Sequence, residues 1–228
     1  MKRVLHYFSK AEWIIWLSSM TLIILSFTLS PVKDPLSLVS SLVGVTALIY
    51  SAKGNPFGQA LMIVFCIMYG IISYSFSYYG EVLTYVFMTG PMAVFALVSW
   101  LRNPFEENRA EVKVNNISRK EAILMFTASL PVTIAFYFVL RAFGTANLLI
   151  STLSVTTSFL AVYLTARRSP YYAIAYAAND IVLIILWTLA SIQNPEYIST
   201  LACFGVFLAN DIYGFISWRK MEKRQRAK

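Results

Sequence analysis

The sequence predicts an all-α integral membrane protein with about eight transmembrane helices, and three observations predict it. Only 13% of the 228 residues are charged and 58% are hydrophobic, with a mean hydropathy of +0.63, whereas a soluble domain carries roughly 25% charged residues. The apolar residues gather in charge-poor blocks of about 20 residues, the length that crosses a hydrocarbon core at 1.5 Å per helical residue. Helices are the natural spanning elements, because each satisfies its own backbone polar groups in lipid. The third observation is the placing of the basic residues, which follows the spans.

Taken in order, the blocks predict spans at 12–30, 36–52, 58–79, 82–101, 119–141, 145–166, 171–192 and 197–218. The first follows Met1-Lys-Arg and has no clear small-residue cleavage site after it, so it reads as a retained helix rather than a leader. An even number of spans puts both termini on one side. On that side fall seventeen of the nineteen Lys and Arg, leaving only Lys33 and Arg141 opposite. Basic loops stay in the cytoplasm, so both termini are expected there. The net charge of +8 thus belongs to loops and to the tail from Arg219 to Lys228, where it suits anionic headgroups of the lipid bilayer and not nucleic acid.

The polar stretch from Arg102 to Lys120 divides the chain, and each side of it holds three spans that end alike. Ser99-Trp100-Leu101-Arg102 closes one block and Ser217-Trp218-Arg219-Lys220 the other. In each, a first helix ends in a tyrosine, a basic loop and a proline: Tyr50, Lys53, Pro56 and Tyr163, Arg167, Pro170. An outer turn with Glu81 or Glu196 comes later. The predicted organisation is an accessory helix (1–35), a three-helix repeat (36–101), a loop and linker helix (102–144), a second parallel repeat (145–218) and a basic tail (219–228). This is a 3+1+3 core, with the extra helix keeping the repeats parallel. Parallel repeats of this sort place substrate near the midplane.

Polar residues at that depth are therefore the candidates for a substrate site. Asn179-Asp180 and Asn210-Asp211 lie near the middle of the last two spans. A carboxylate there is costly and normally faces a cavity or a partner. The two pairs either line a substrate cavity or bond helices together. On the seventh span Tyr172, Tyr176, Asp180 and Trp187 share one face, which suits a flat heteroaromatic ring. In the first repeat the candidates are Asn55 and Gln59 at the inner mouth, Tyr69 at mid-depth, and Tyr85 and Thr89 on the fourth span, which Pro91 is expected to break. Trp100 and Trp218 read as interfacial belt anchors. His6 is the sole histidine, and no phosphate-binding loop is present. The sequence therefore calls for no enzyme, metal or cofactor.

Lys53-Gly-Asn-Pro-Phe-Gly-Gln59, Tyr69-Gly, Tyr78-Tyr-Gly-Glu81, Thr84-Tyr85, Met88-Thr89 and Pro91-Met92 resemble the first half of PnuC transporters of Gram-positive bacteria. Pro170-Tyr-Tyr, Asn179-Asp-Ile-Val, Leu186-Trp187, Pro195-Glu-Tyr197 and Asn210-Asp-Ile-Tyr-Gly-Phe resemble the second. The resemblance implies a SWEET-like 3+1+3 core, a homotrimer in the bacterial plasma membrane, and facilitated diffusion of nicotinamide riboside trapped by phosphorylation. One segment departs: relatives carry two tryptophans just before the seventh-span asparagine, where this chain has Tyr172-Ala-Ile-Ala-Tyr176. Thiamine, riboflavin or a deoxynucleoside as cargo, or a membrane binding or assembly subunit, are the alternatives.

Overall fold

The structure, a computed structural model, describes residues 7–30, 33–75, 78–193 and 197–227. Pro195 and Glu196 of the expected outer turn lie outside the described residues, as do Lys2, Arg3, His6 and Lys228. The elements are α1 (Lys10–Leu29), α2 (Pro35–Ala52), α3 (Phe57–Ser75), α4 (Tyr79–Val82), a π-helical segment (Leu83–Thr89), α5 (Gly90–Arg102), β1 (Pro104–Phe105), β2 (Asn108–Val112), α6 (Arg119–Ala142), α7 (Leu148–Ala166), α8 (Tyr172–Gln193) and α9 (Ile198–Arg226). With α4, the π segment and α5 counted as one helix, eight helices among the described residues are long and apolar enough to cross a membrane. Side chains such as Ile14, Leu25, Ile123, Phe138 and Ile192 stand exposed on the outside. On a protein surrounded by lipid that is the stable arrangement, since hydrocarbon solvates them.

Local chemistry sets the helix ends. Ser9 and Glu12 form a reciprocal capping box at the start of α1. Asp34 caps α2, with Pro35 at its first turn. Ser118 caps α6 by accepting from the Glu121 N–H. The chain leaves α2 through Gly54 (φ 66°) and leaves α7 through Arg168 (φ 57°), two left-handed residues at matching places. The last helix outruns its expected end at 218 and continues to Arg226. Glu222 pairs with Arg219 and Arg226 one turn either way, and Arg224 pairs with Glu111 of the β-hairpin.

The fourth span does not break at Pro91. The helix runs on through a wider π turn, in which the Gly90 N–H reaches back five residues to the Tyr85 carbonyl, and α5 begins at Gly90 without a gap. Gly90 also sits where an added Cβ would meet that carbonyl at 3.1 Å.

Packing is reciprocal between the two blocks. Helix α9 packs on α2, and α5 packs on α7. Trp100 and Trp218 are not belt anchors: both are fully buried. The Trp100 indole N–H donates to the Thr165 carbonyl and the Trp218 indole N–H to the Ser51 carbonyl, each at 2.8 Å. An indole N–H needs a partner when buried, and a helix-end carbonyl provides one with its second lone pair, the first taking a backbone N–H of the following turn, Arg168 at Thr165 and Gly54 at Ser51. The same exchange extends to α1 and α6. Glu12 of α1 binds Lys53 at the end of α2 at 3.0 Å, and Glu121 of α6 binds Arg167 at the end of α7. That carboxylate holds the Arg167 guanidinium above its ordinary value. Both helices thus pack against the first helix of the block that follows them.

The core has two main layers. Toward the basic end Trp100, Trp218, Tyr172 and Met221 pack together. Toward the other end Phe65, Tyr69, Tyr85, Leu183, Trp187, Phe204 and Phe207 do.

Candidate functional site

The sequence-predicted residues fall at three depths. Asn55 and Gln59 lie at the basic end. Asn55 donates to the Tyr7 hydroxyl at 2.7 Å while its side-chain oxygen accepts the Phe57 N–H, and buried Gln59 donates to Ser51 Oγ at 3.3 Å. Tyr172 joins them there, packed edge-on against Trp218 with ring centroids 4.8 Å apart.

At the middle, α8 and α9 bring Asp180 and Asp211 within electrostatic range of each other. Both are buried, and Asp180 Oδ2 has no hydrogen-bond partner. Tyr176 lies within electrostatic range of both carboxyls and Tyr85 within range of Asp180. The flanking amides point elsewhere. The Asn179 oxygen accepts from the hydroxyls of Thr157 (2.8 Å) and Ser158 (3.0 Å) on α7. The Asn210 amide donates to Ser19 on α1 and to the Val206 carbonyl, both at 2.8 Å, while its side-chain oxygen is buried without a partner. One side of each amide therefore ties helices together, and the other side is left over.

The third depth, toward the non-basic end, is an aromatic chamber. Tyr69 and Tyr85 meet at 4.5 Å between ring centroids, and Tyr69 stacks on Phe65 at 5.5 Å. Thr89 is buried one turn along from Tyr85. Trp187 is covered by Tyr78 (4.9 Å) and Tyr197 (5.5 Å). The Tyr69 hydroxyl faces Ser73 and the Trp187 indole N–H without an aligned hydrogen bond to either. Buried polar groups in a finished core are paired, so a cluster of open ones marks a place built for something else.

A serine-rich cleft of about 60 Å³ leads to this chamber. Ser30, Asp34, Ser37, Ser40, Ser199 and Thr200 line it, together with Ile23 and Phe27 of α1, and Tyr69 and Phe204 lie at its inner wall. Cys203, also on the wall, is a free buried thiol.

Two residues escaped the sequence reading as site candidates. Glu81, expected in an outer turn, is buried with one carboxylate oxygen unpartnered. Ser40 is buried with a free hydroxyl on the cleft wall. Glu81 carried a signal, because an unbroken apolar run begins immediately after it; Ser40 carried none. Among the described residues no group of three His, Cys, Asp or Glu could hold a metal ion.

A family model described as nicotinamide mononucleotide transporter matches residues 34–220. The nicotinamide riboside transporter PnuC of Neisseria mucosa is 24% identical over 193 residues, spanning 83% of this chain and 73% of its own length. The protein of the same name from Haemophilus influenzae is 20% identical over 215 residues, spanning 92% and 91%. A crystal structure of the vitamin B3 transporter PnuC shares the fold, with a TM-score of 0.84 at 23% identity over 96% of this chain and 94% of that one. The family match runs from the start of α2 to beyond Trp218 of α9, the stretch that contains the carboxyl pair, the aromatic chamber and both reciprocal tryptophans. This multi-pass membrane protein belongs to the PnuC transporter family.

Proposed function

We propose that the protein carries nicotinamide riboside into the cell by facilitated diffusion, and that phosphorylation inside traps it. The observation that carries this reading is family membership across the part of the chain that holds the candidate site, together with relatives named for that cargo. The chemistry is compatible. Nicotinamide riboside presents a cationic pyridinium, a carboxamide and ribose hydroxyls, and the interior offers tyrosine faces, the buried carboxyls of Glu81, Asp180 and Asp211, and open amide and hydroxyl groups.

In this reading the basic end is cytoplasmic and the serine-rich cleft opens outside. Substrate passes the cleft, meets Tyr69 and Tyr85, and reaches Asp180, Asp211 and Tyr176, with Asn179 and Asn210 offering their unused polar atoms. Tyr172 with Trp100 and Trp218 closes the path below, beside Asn55 and Gln59. Rocking of two three-helix units in a 3+1+3 core would open it, in each protomer of a homotrimer. The reciprocal tryptophan bonds support a repeat. The matched Glu12–Lys53 and Glu121–Arg167 pairs favour counting α1 and α6 as equivalent members of it.

Calorimetric titration of the detergent-purified protein tests the cargo, with nicotinamide riboside, nicotinamide, nicotinamide mononucleotide, thiamine, riboflavin and deoxynucleosides as ligands. Binding of the riboside alone is expected. Preference for another compound would keep the transporter and replace its substrate.

A further inference from the structure

Glu81 stands apart from the carboxyl pair at the centre. It enters the fold on α4, directly after the aromatic Tyr78 and Tyr79, and its side chain turns inward until only 3% of the residue is exposed. No Lys, Arg or His among the described residues forms an ion pair with it. Its Oε2 atom has no hydrogen-bond partner. A carboxyl left alone at the edge of the hydrocarbon region is costly to keep.

Its surroundings suit a particular visitor. The carboxyl lies within electrostatic range of both Tyr69 and Tyr85; Tyr69 lines the cleft and meets the Tyr85 ring edge to face behind it. Tyrosine faces attract an organic cation, and a desolvated carboxylate attracts it more strongly. Ser73 and the Trp187 indole N–H, beside the Tyr69 hydroxyl, are also unpartnered and offer donors to a carbonyl. An acceptor of charge, two aromatic walls and spare donors together describe a pocket for a flat cationic ring bearing an amide.

We propose that Glu81, with Tyr69 and Tyr85, forms an outer cation site that selects substrate by the positive charge of its ring before it reaches Asp180 and Asp211. This rests on the reading of nicotinamide riboside as cargo. The site distinguishes the cationic pyridinium from a ring of the same outline that has lost its charge.

The test compares nicotinamide riboside with its reduced dihydro form, which is neutral at the ring and nearly identical in shape. Both are titrated into wild type, Glu81→Gln and Asp180→Asn in detergent, with thermal unfolding recorded for each. Glu81→Gln is expected to weaken binding of the cation by roughly tenfold and of the neutral form by no more than about twofold. If the glutamine variant does not fold, Glu81→Asp replaces it; that variant keeps the charge and is expected to keep the preference for the cation. Equal weakening of both ligands by the Glu81 variants, or loss of the preference in Asp180→Asn alone, would overturn the assignment. Failure of wild type to bind nicotinamide riboside would overturn the cargo instead, and this site with it.

Discussion

Trp100 and Trp218 face each other with ring centroids 5.3 Å apart and planes inclined by 49°, and each sends its indole N–H to the closing carbonyl of a helix in the opposite block. Two bonds of equal length in equivalent settings are expected to contribute equally. Trp100→Phe and Trp218→Phe should each cost about 1 kcal/mol, the net worth of a typical buried hydrogen bond. Thermal unfolding in detergent reads this directly. A large difference between the two variants would argue against equivalent blocks.

Asp180 and Asp211 lie buried within electrostatic range of each other. Removing either carboxyl changes the electrostatic environment of the other, so their effects on substrate binding are expected not to add. A double-mutant cycle with Asp180→Asn and Asp211→Asn should give a coupling of about 1 kcal/mol or more, within the range for coupled neighbours. Simple additivity would mean that the two act separately.

Asn210 has two tasks that can be pulled apart. Its amide holds Ser19 on α1, while its side-chain oxygen is free. Ser19→Ala removes the first task alone and is expected to cost about 0.6 kcal/mol of stability, the average for hydrogen bonds between membrane helices, with uptake retained. Asn210→Ala should lose both stability and uptake. Normal uptake in that variant would assign Asn210 to helix packing only.

The serine-rich cleft is narrow enough for one bulky side chain to fill. Ser40→Trp or Ser199→Trp is expected to lower uptake into vesicles by roughly tenfold while the protein elutes normally in detergent. Unchanged uptake in both would place the route elsewhere.

The eight spans were legible because lipid leaves a chain few choices: long apolar blocks must be helices, and the charge between them must sit at their ends. The matching Ser-Trp endings also pointed to two related blocks. What could not be read was partnership across helices. Trp100 beside Arg102 has the sequence of a belt residue, and only the Thr165 carbonyl, on a distant helix, reveals it as core. Asn179 carries no sign that Thr157 and Ser158 occupy its oxygen. Pro91 announces an irregularity but not its form, which here is a π turn. Glu81 was placed in an outer turn, whereas it lies on α4 and its residue is buried.

The left-handed residues that end α2 and α7 share one more neighbour. The Val112 N–H donates to the Gly54 carbonyl at 2.9 Å, and the Asn115 N–H donates to the Arg168 carbonyl at 3.0 Å. Three residues of chain cover at most about 10 Å, so this short strip sets a ceiling on how far the two helix ends can separate. The strip is a hinge-post shared by two doors. Any swing that leaves it intact is small beside the post and grows along roughly 27 Å of helix, so the wide travel falls at the edge where the serine-rich cleft lies.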